Sequence, residues 1–98
     1  MTINKTQNGA SLLLNIEGRL ETTTAPELEA VIKTELDGVT ELIFDFSKLD
    51  YISSAGLRVL LATQKIMNAQ GAMKVTNVND IVSEIFEVTG FSDILTIE

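Results

Sequence analysis

The stretch TELIFDFS, residues 40–47, sets the first limit on what this chain can become. Leu42, Ile43, Phe44 and Phe46 put apolar side chains on both faces of an extended segment. A strand of that kind needs cover on both faces, which makes it a central member of a mostly parallel sheet rather than an edge. Asp45 is its one interruption. Parallel neighbours must be joined by crossovers of a dozen or more residues, normally helices. The flanking sequence therefore has to supply helices.

It does. Before the central run, residues 2–6 read as a short strand, and Asn8-Gly9 is a hairpin-turn signal. ASLLLNIEGRL follows, with Leu12, Leu14 and Ile16 alternating against Leu13, Asn15 and Glu17, the pattern of a half-buried strand that Gly18 breaks. In ETTTAPELEAVIKTELDG, Thr24 and Glu27 have capping-box spacing and Pro26 sits in the first turn. Leu28, Val31, Ile32 and either Glu35 or Leu36 form the inward stripe, and Gly38 stops the helix. After the central strand and a short bridge, KLDYI, the period turns helical from Gly56. Leu57, Leu60, Leu61 and Met67 share a face with Ile66 beside them, Arg58, Gln64, Lys65 and Asn68 lie elsewhere, and Gly71 ends the element. AMKVTNV is a further strand, and Asp80 to Thr89 a last helix with Ile81, Val82, Ile85, Phe86 and Val88 inward, stopped by Gly90-Phe91. Ile94 to Ile97 would close with a short strand. The expected fold is α/β, one small domain over residues 1–98. Its order is β-β-α-β-α-β-α-β, a mixed, mostly parallel sheet with an N-terminal hairpin and helices packed on it.

Composition narrows the chemistry. The chain has no cysteine and no histidine, so thiolate sites, His-ligated metals and Ser-His-Asp relays are excluded. No Ser-x-x-Lys offers a lysine base instead, so an enzyme is not expected. Fourteen acids against seven bases give a net charge of −7, and the bases form no patch. Such a surface repels nucleic acid and anionic lipid. No apolar run is long enough to span a bilayer, and MTINKTQNGA lacks the apolar core of a signal peptide, so a cytoplasmic location without membrane insertion is expected.

YISSAGLRVLL, residues 51–61, places two hydroxyls where a strand hands over to a helix. Capping alone would account for them, at about 1 kcal/mol. Gly56, however, lies in the first turn, where alanine would favour the helix by about 1 kcal/mol, and a glycine there suits a close approach to the backbone. Strand-end-to-helix junctions of α/β sheets are also where ligands and partners dock. A phosphate on one of these serines would face a helix N-terminus, which favours anions by about 0.3–1 kcal/mol. Its added charge, about −1.5 to −2, would repel or desolvate against any partner packed flat on the junction. The junction thus has the chemistry of a switch. Of Thr22, Thr23 and Thr24, which also offer hydroxyls, Thr24 is accounted for by capping.

DFSKLDYISSAGLRVLL resembles the central motif of anti-sigma-factor antagonists, the STAS-domain family of bacterial partner-switching systems. GRLETTTAPEL resembles the family's early G-x-L-D-x-x-T-A-x-x-L segment, and IFEVTGFSDIL its closing helix-glycine-apolar segment. The resemblance implies a non-enzymatic regulator of sigma-factor-dependent transcription. Unphosphorylated, it binds a cognate anti-sigma factor with serine kinase activity; phosphorylation releases it and a phosphatase resets it. Laid on the family's D-S-S/T-G-L pattern, the acceptor is Ser54, with Ser53 second because it replaces the usual acid. Ser53, Ser54, Gly56, Leu57 and Arg58 would lie near the partner, with Glu21, Thr22, Thr23 and Thr24 in the adjoining loop. Glu21 stands where the family often has aspartate. No cofactor is implied, since ATP belongs to the kinase. The rival reading is the STAS-type structural subunit of a bacterial lipid ABC transporter, which needs no phosphorylation cycle.

Overall fold

The central strand organises the structure, a computed structural model describing residues 1–98. It is β3, Glu41–Ile52, flanked by β2, Ser11–Leu20, and β4, Ala72–Thr76, both parallel to it. β1, Thr2–Asn8, pairs antiparallel with β2 and forms the outer edge, giving the order β1-β2-β3-β4. The helices are α1, Ala25–Glu35; α2, Ser54–Gln70; and α3, Asp80–Thr89, followed by a 3₁₀ turn at Phe91–Asp93. The hairpin turn sits one residue later than the Asn8-Gly9 signal. Asn8 pairs with Ser11, and Gly9, at φ +63°, takes the left-handed position.

β3 is longer than its apolar run because the expected bridge KLDYI is itself strand. Register explains how. Asn15 faces Asp45 and Glu17 faces Lys48, so Ile16 alone opposes Phe46 and Ser47; Gly18 faces Leu49 and Arg19 faces Tyr51, which leaves Asp50 extra. Each bulge reverses the side-chain alternation once. Phe46, Leu49 and Ile52 therefore all return to the core face although they are three residues apart. The simple period of two fails there, which is why the segment does not read as strand. Likewise Gly18, at φ +99°, marks the irregularity in β2 without ending the strand.

One core of 23 buried apolar residues lies on a single side of the sheet. Leu12, Leu14, Leu42, Phe44, Met73 and Val75 come from register-matched positions on that face. The other face carries Leu13 and Ile43, both only half-buried, so β3 is central without being covered on both sides. Leu36 rather than Glu35 completes the α1 stripe. In α2, Gln64 is buried with Thr63, and Leu61 is only half-buried. The helical period places Gln64 beside Leu57, Leu60 and Met67, and its Nε2 donates to Asn68 Oδ1 at 2.9 Å. In α3 only Val82 and Phe86 are buried; Ile81 and Val88 face outward. The expected last strand is a single parallel bridge, Val75 with Ile97.

Asp45 is what the open face is built around. Its carboxylate accepts from Asn15 Nδ2 at 2.9 Å, Ser47 N–H at 2.9 Å and Asn77 Nδ2 at 3.2 Å, tying β2, β3 and the turn after β4. The Ser47 N–H above all holds Asp45 below the ordinary aspartate range, with the two asparagine amides adding to it and partial burial opposing. The folded chain thus binds this proton less tightly than the unfolded one. The resulting stability is present above the ordinary aspartate range and is lost as pH falls through the folded value. Urea midpoints measured across pH should therefore show a shallower acid decline below about pH 4 in Asp45→Asn than in wild type. Identical acid limbs would contradict this role.

Candidate functional site at the β3–α2 junction

Where β2 and β3 end, their last residues and the first turn of α2 are locked together. Leu20 and Ile52 are register partners and both buried. Ser53 N–H donates to Leu20 O at 2.9 Å, and Leu57 N–H donates to Ser53 O at 2.9 Å, starting the helix. Gly56 lies directly on this pair. A Cβ there would stand 2.7 Å from Leu20 Cγ, 2.8 Å from Ile52 Cγ1 and 3.0 Å from Leu20 O. The close approach that the glycine permits is therefore internal: the last residues of β2 and β3 fill it. Gly56 and Leu57 are both buried and form the floor of the junction, presenting no side chain outward.

The two serines differ. Ser53 is the N-cap of α2, at φ −100° and ψ 177°, yet its side chain makes no capping hydrogen bond. Its Oγ is buried with no partner. Ser54 is the first helical residue and is exposed. Arg58, one turn further on the same helix, is exposed and makes no ion pair.

The adjoining loop is held by Thr24, but not as a capping box. Thr24 Oγ1 accepts from Glu21 N–H at 2.9 Å and donates to Arg19 O at 2.8 Å, so it binds backward into the loop instead of forward into α1. Its φ of −106° and ψ of −22° are already near-helical, which turns the hydroxyl away from the helix N–H groups. The helix start is carried by Ala25 N–H donating to Glu21 O at 2.7 Å. Thr22 and Thr23 are exposed. Glu21 pairs with Arg19, Nε to Oε2 at 3.2 Å, and the Arg19 guanidinium stacks 4.5 Å above the Tyr51 ring. Sequence reasoning missed Arg19 and Tyr51, because only the bulged β2–β3 register brings them together.

Between α1 and α2 runs an open groove of about 460 Å³, with Thr22, Pro26, Ala55, Arg58, Ala62 and Ile66 among its walls. Thr22 of the Glu21–Thr24 loop and Ala55 and Arg58 near the start of α2 line the groove, and the exposed Ser54 immediately precedes Ala55. The surface has no histidine or cysteine and no cluster of metal-binding side chains. Chemically it offers a nucleophilic hydroxyl to an incoming reagent and a shape to a partner.

Two substitutions test this geometry by denaturant midpoint. Gly56→Ala should destabilise by about 1–3 kcal/mol, the usual cost of overpacking, although alanine favours helix. Ser53→Ala should leave stability unchanged or raise it, since it removes an unpartnered buried hydroxyl. A loss of about 1 kcal/mol in Ser53→Ala would mean that the hydroxyl caps after all.

Comparison with known proteins agrees with this architecture. The STAS domain family model matches residues 2–98. BtrV of Bordetella bronchiseptica, named as a candidate anti-sigma factor antagonist, is 35% identical over 88 residues, covering 88% of this chain and 76% of the relative. The anti-sigma-B factor antagonist of Staphylococcus aureus is 29% identical over 84 residues, covering 84% and 78%. The Bacillus cell fate determinant SpoIIAA in its phosphorylated form superposes with a TM-score of 0.77 at 18% identity, over 99% of this chain and 91% of that one. With a four-stranded mixed sheet, three helices and a motif-bearing β3–α2 junction, the chain belongs to the STAS domain family.

Proposed function

We propose that this chain is an anti-sigma factor antagonist whose docking surface is the β3–α2 junction and whose switch is Ser54. The observation that carries the reading is the contrast between the two serines. Ser54 is exposed at the first position of α2, whereas Ser53 Oγ is buried. A kinase can present ATP only to the former without unwinding the helix start. The relatives named as anti-sigma factor antagonists support the choice of partner.

Unphosphorylated, the chain holds an anti-sigma factor through the Glu21–Thr24 loop, the first turn of α2 and the adjoining groove, leaving the sigma factor free. The anti-sigma factor, acting as serine kinase, then transfers the γ-phosphoryl group of ATP. A P–O bond forms at Ser54 Oγ, the β–γ bridge breaks, ADP leaves, and the hydroxyl proton passes to a base on the kinase. A phosphatase reverses the state with water, releasing inorganic phosphate. The modification is tolerated at home because the α2 N-terminus and Arg58 offset its charge. Across a packed interface it is not, because the partner must desolvate roughly two added charges.

The test is to incubate the chain with its host's anti-sigma kinases and ATP and map the phosphoryl group by mass spectrometry. Label on Ser54, none on Ser54→Ala, and partner affinity lowered at least about tenfold in Ser54→Asp are expected, the last equal to about 1.4 kcal/mol. Modification at Ser53 instead, or undiminished binding by Ser54→Asp, would overturn the assignment.

A further inference from the structure

Helix α3 carries more apolar surface than the core uses. Ile81, Ile85 and Val88 recur at the i, i+4, i+7 spacing of one face, beside the stripe of Val82 and Phe86 that is buried. Ile81 is 59% and Val88 76% exposed, and Ile85 is half-buried between them. A lone exposed aliphatic residue needs no explanation, but a stripe along one helix face does.

The border of that stripe has one sign of charge. Asp80, Glu84 and Glu87 occupy the solvent side of α3, and none of them forms an ion pair. Beyond Lys74, the sequence contains five acids (Asp80, Glu84, Glu87, Asp93 and Glu98) and no base. Lys74 itself is engaged, Nζ lying 3.6 Å from Glu98 Oε1. A second copy docked face to face would set Glu84 and Glu87 against their own kind, in a chain already at −7. Anionic lipid would meet the same repulsion.

We infer that the outer face of α3 is a second docking surface, which takes a basic amphipathic helix of a protein partner. Its apolar side seats on Ile81, Ile85 and Val88, and its lysines or arginines meet Asp80, Glu84 and Glu87. α3 packs over β3 and the 3₁₀ turn, away from the α1–α2 groove, so this contact does not require the Ser54 hydroxyl. It also stands independently of the phosphorylation cycle proposed above.

The experiment titrates the isotope-labelled full chain with a short helical peptide of leucine and lysine and follows amide shifts by NMR. Shifts should centre on residues 80–89, weaken with added salt, and persist at the same affinity in Ser54→Asp. The double variant Ile81→Ser, Val88→Ser changes only exposed side chains and keeps the fold; its affinity should fall about tenfold. The inference would be overturned by shifts centred on the α1–α2 groove, equal binding of a leucine–glutamate peptide, equal binding by the double variant, or recruitment of the chain through α3 to phosphatidylglycerol vesicles. Self-association by sedimentation that the double variant abolishes would assign the face to a second copy and equally overturn it.

Discussion

The absent side chain at Gly56 is the constraint on which the junction rests. Leu20 and Ile52 close to within 3 Å of the space a Cβ would occupy, bringing the first turn of α2 onto the ends of two strands. Ser53 N–H bound to Leu20 O fixes the same spot by hydrogen bond. With the helix seated this deeply, Ser53 Oγ has nowhere to go but inward, and Ser54 is the next residue to emerge. The cost of a glycine in a helix is about 1 kcal/mol. The contact it allows buries Leu20, Ile52 and Leu57 in the same core, which offsets it.

That seating depends in turn on β3 reaching far enough. Its two bulges let Leu49 and Ile52 stay on the core side over a strand of 12 residues, and deliver the chain to α2 at the same level as the end of β2. Arg19, Tyr51 and Glu21 meet there as a consequence. A rigid junction is what a charge switch needs, because a phosphate on a flexible loop could turn aside from the partner. Here the phosphate would be held at a helix start.

The order of the first seven elements and the bounds of α3 were legible in the sequence because each rests on a local period or stop; the central place of β3 was legible from apolar residues on both its faces, although only one face is covered. KLDYI was not, since a bulged strand breaks the period of two that reveals strands. Thr24 had the spacing of a cap, but long-range demands of the Glu21 turn claimed its hydroxyl. Outward Ile81 and Val88 read as core because apolar character alone does not say whether a face has a partner. The closing segment pairs with the outer edge of β4 at one bridge only, because the chain before it is taken up by the 3₁₀ turn at Phe91–Asp93. At the site, the serines and the loop were visible from their types and spacing. The internal purpose of Gly56, the orphaned Ser53 hydroxyl and the α1–α2 groove needed three dimensions, as each is made by residues distant in sequence.

The central claim is that Ser54 can carry a phosphate on an unaltered fold while that phosphate alone dissolves the partner complex. The direct measurement uses the chain with phosphoserine incorporated at position 54, recording its backbone NMR shifts and its calorimetric affinity for the cognate anti-sigma factor on one sample. The account predicts shift changes confined to the first turn of α2 and the Glu21–Thr24 loop, together with loss of binding. Shifts spreading through the sheet, or an affinity equal to that of the unmodified chain, would contradict it.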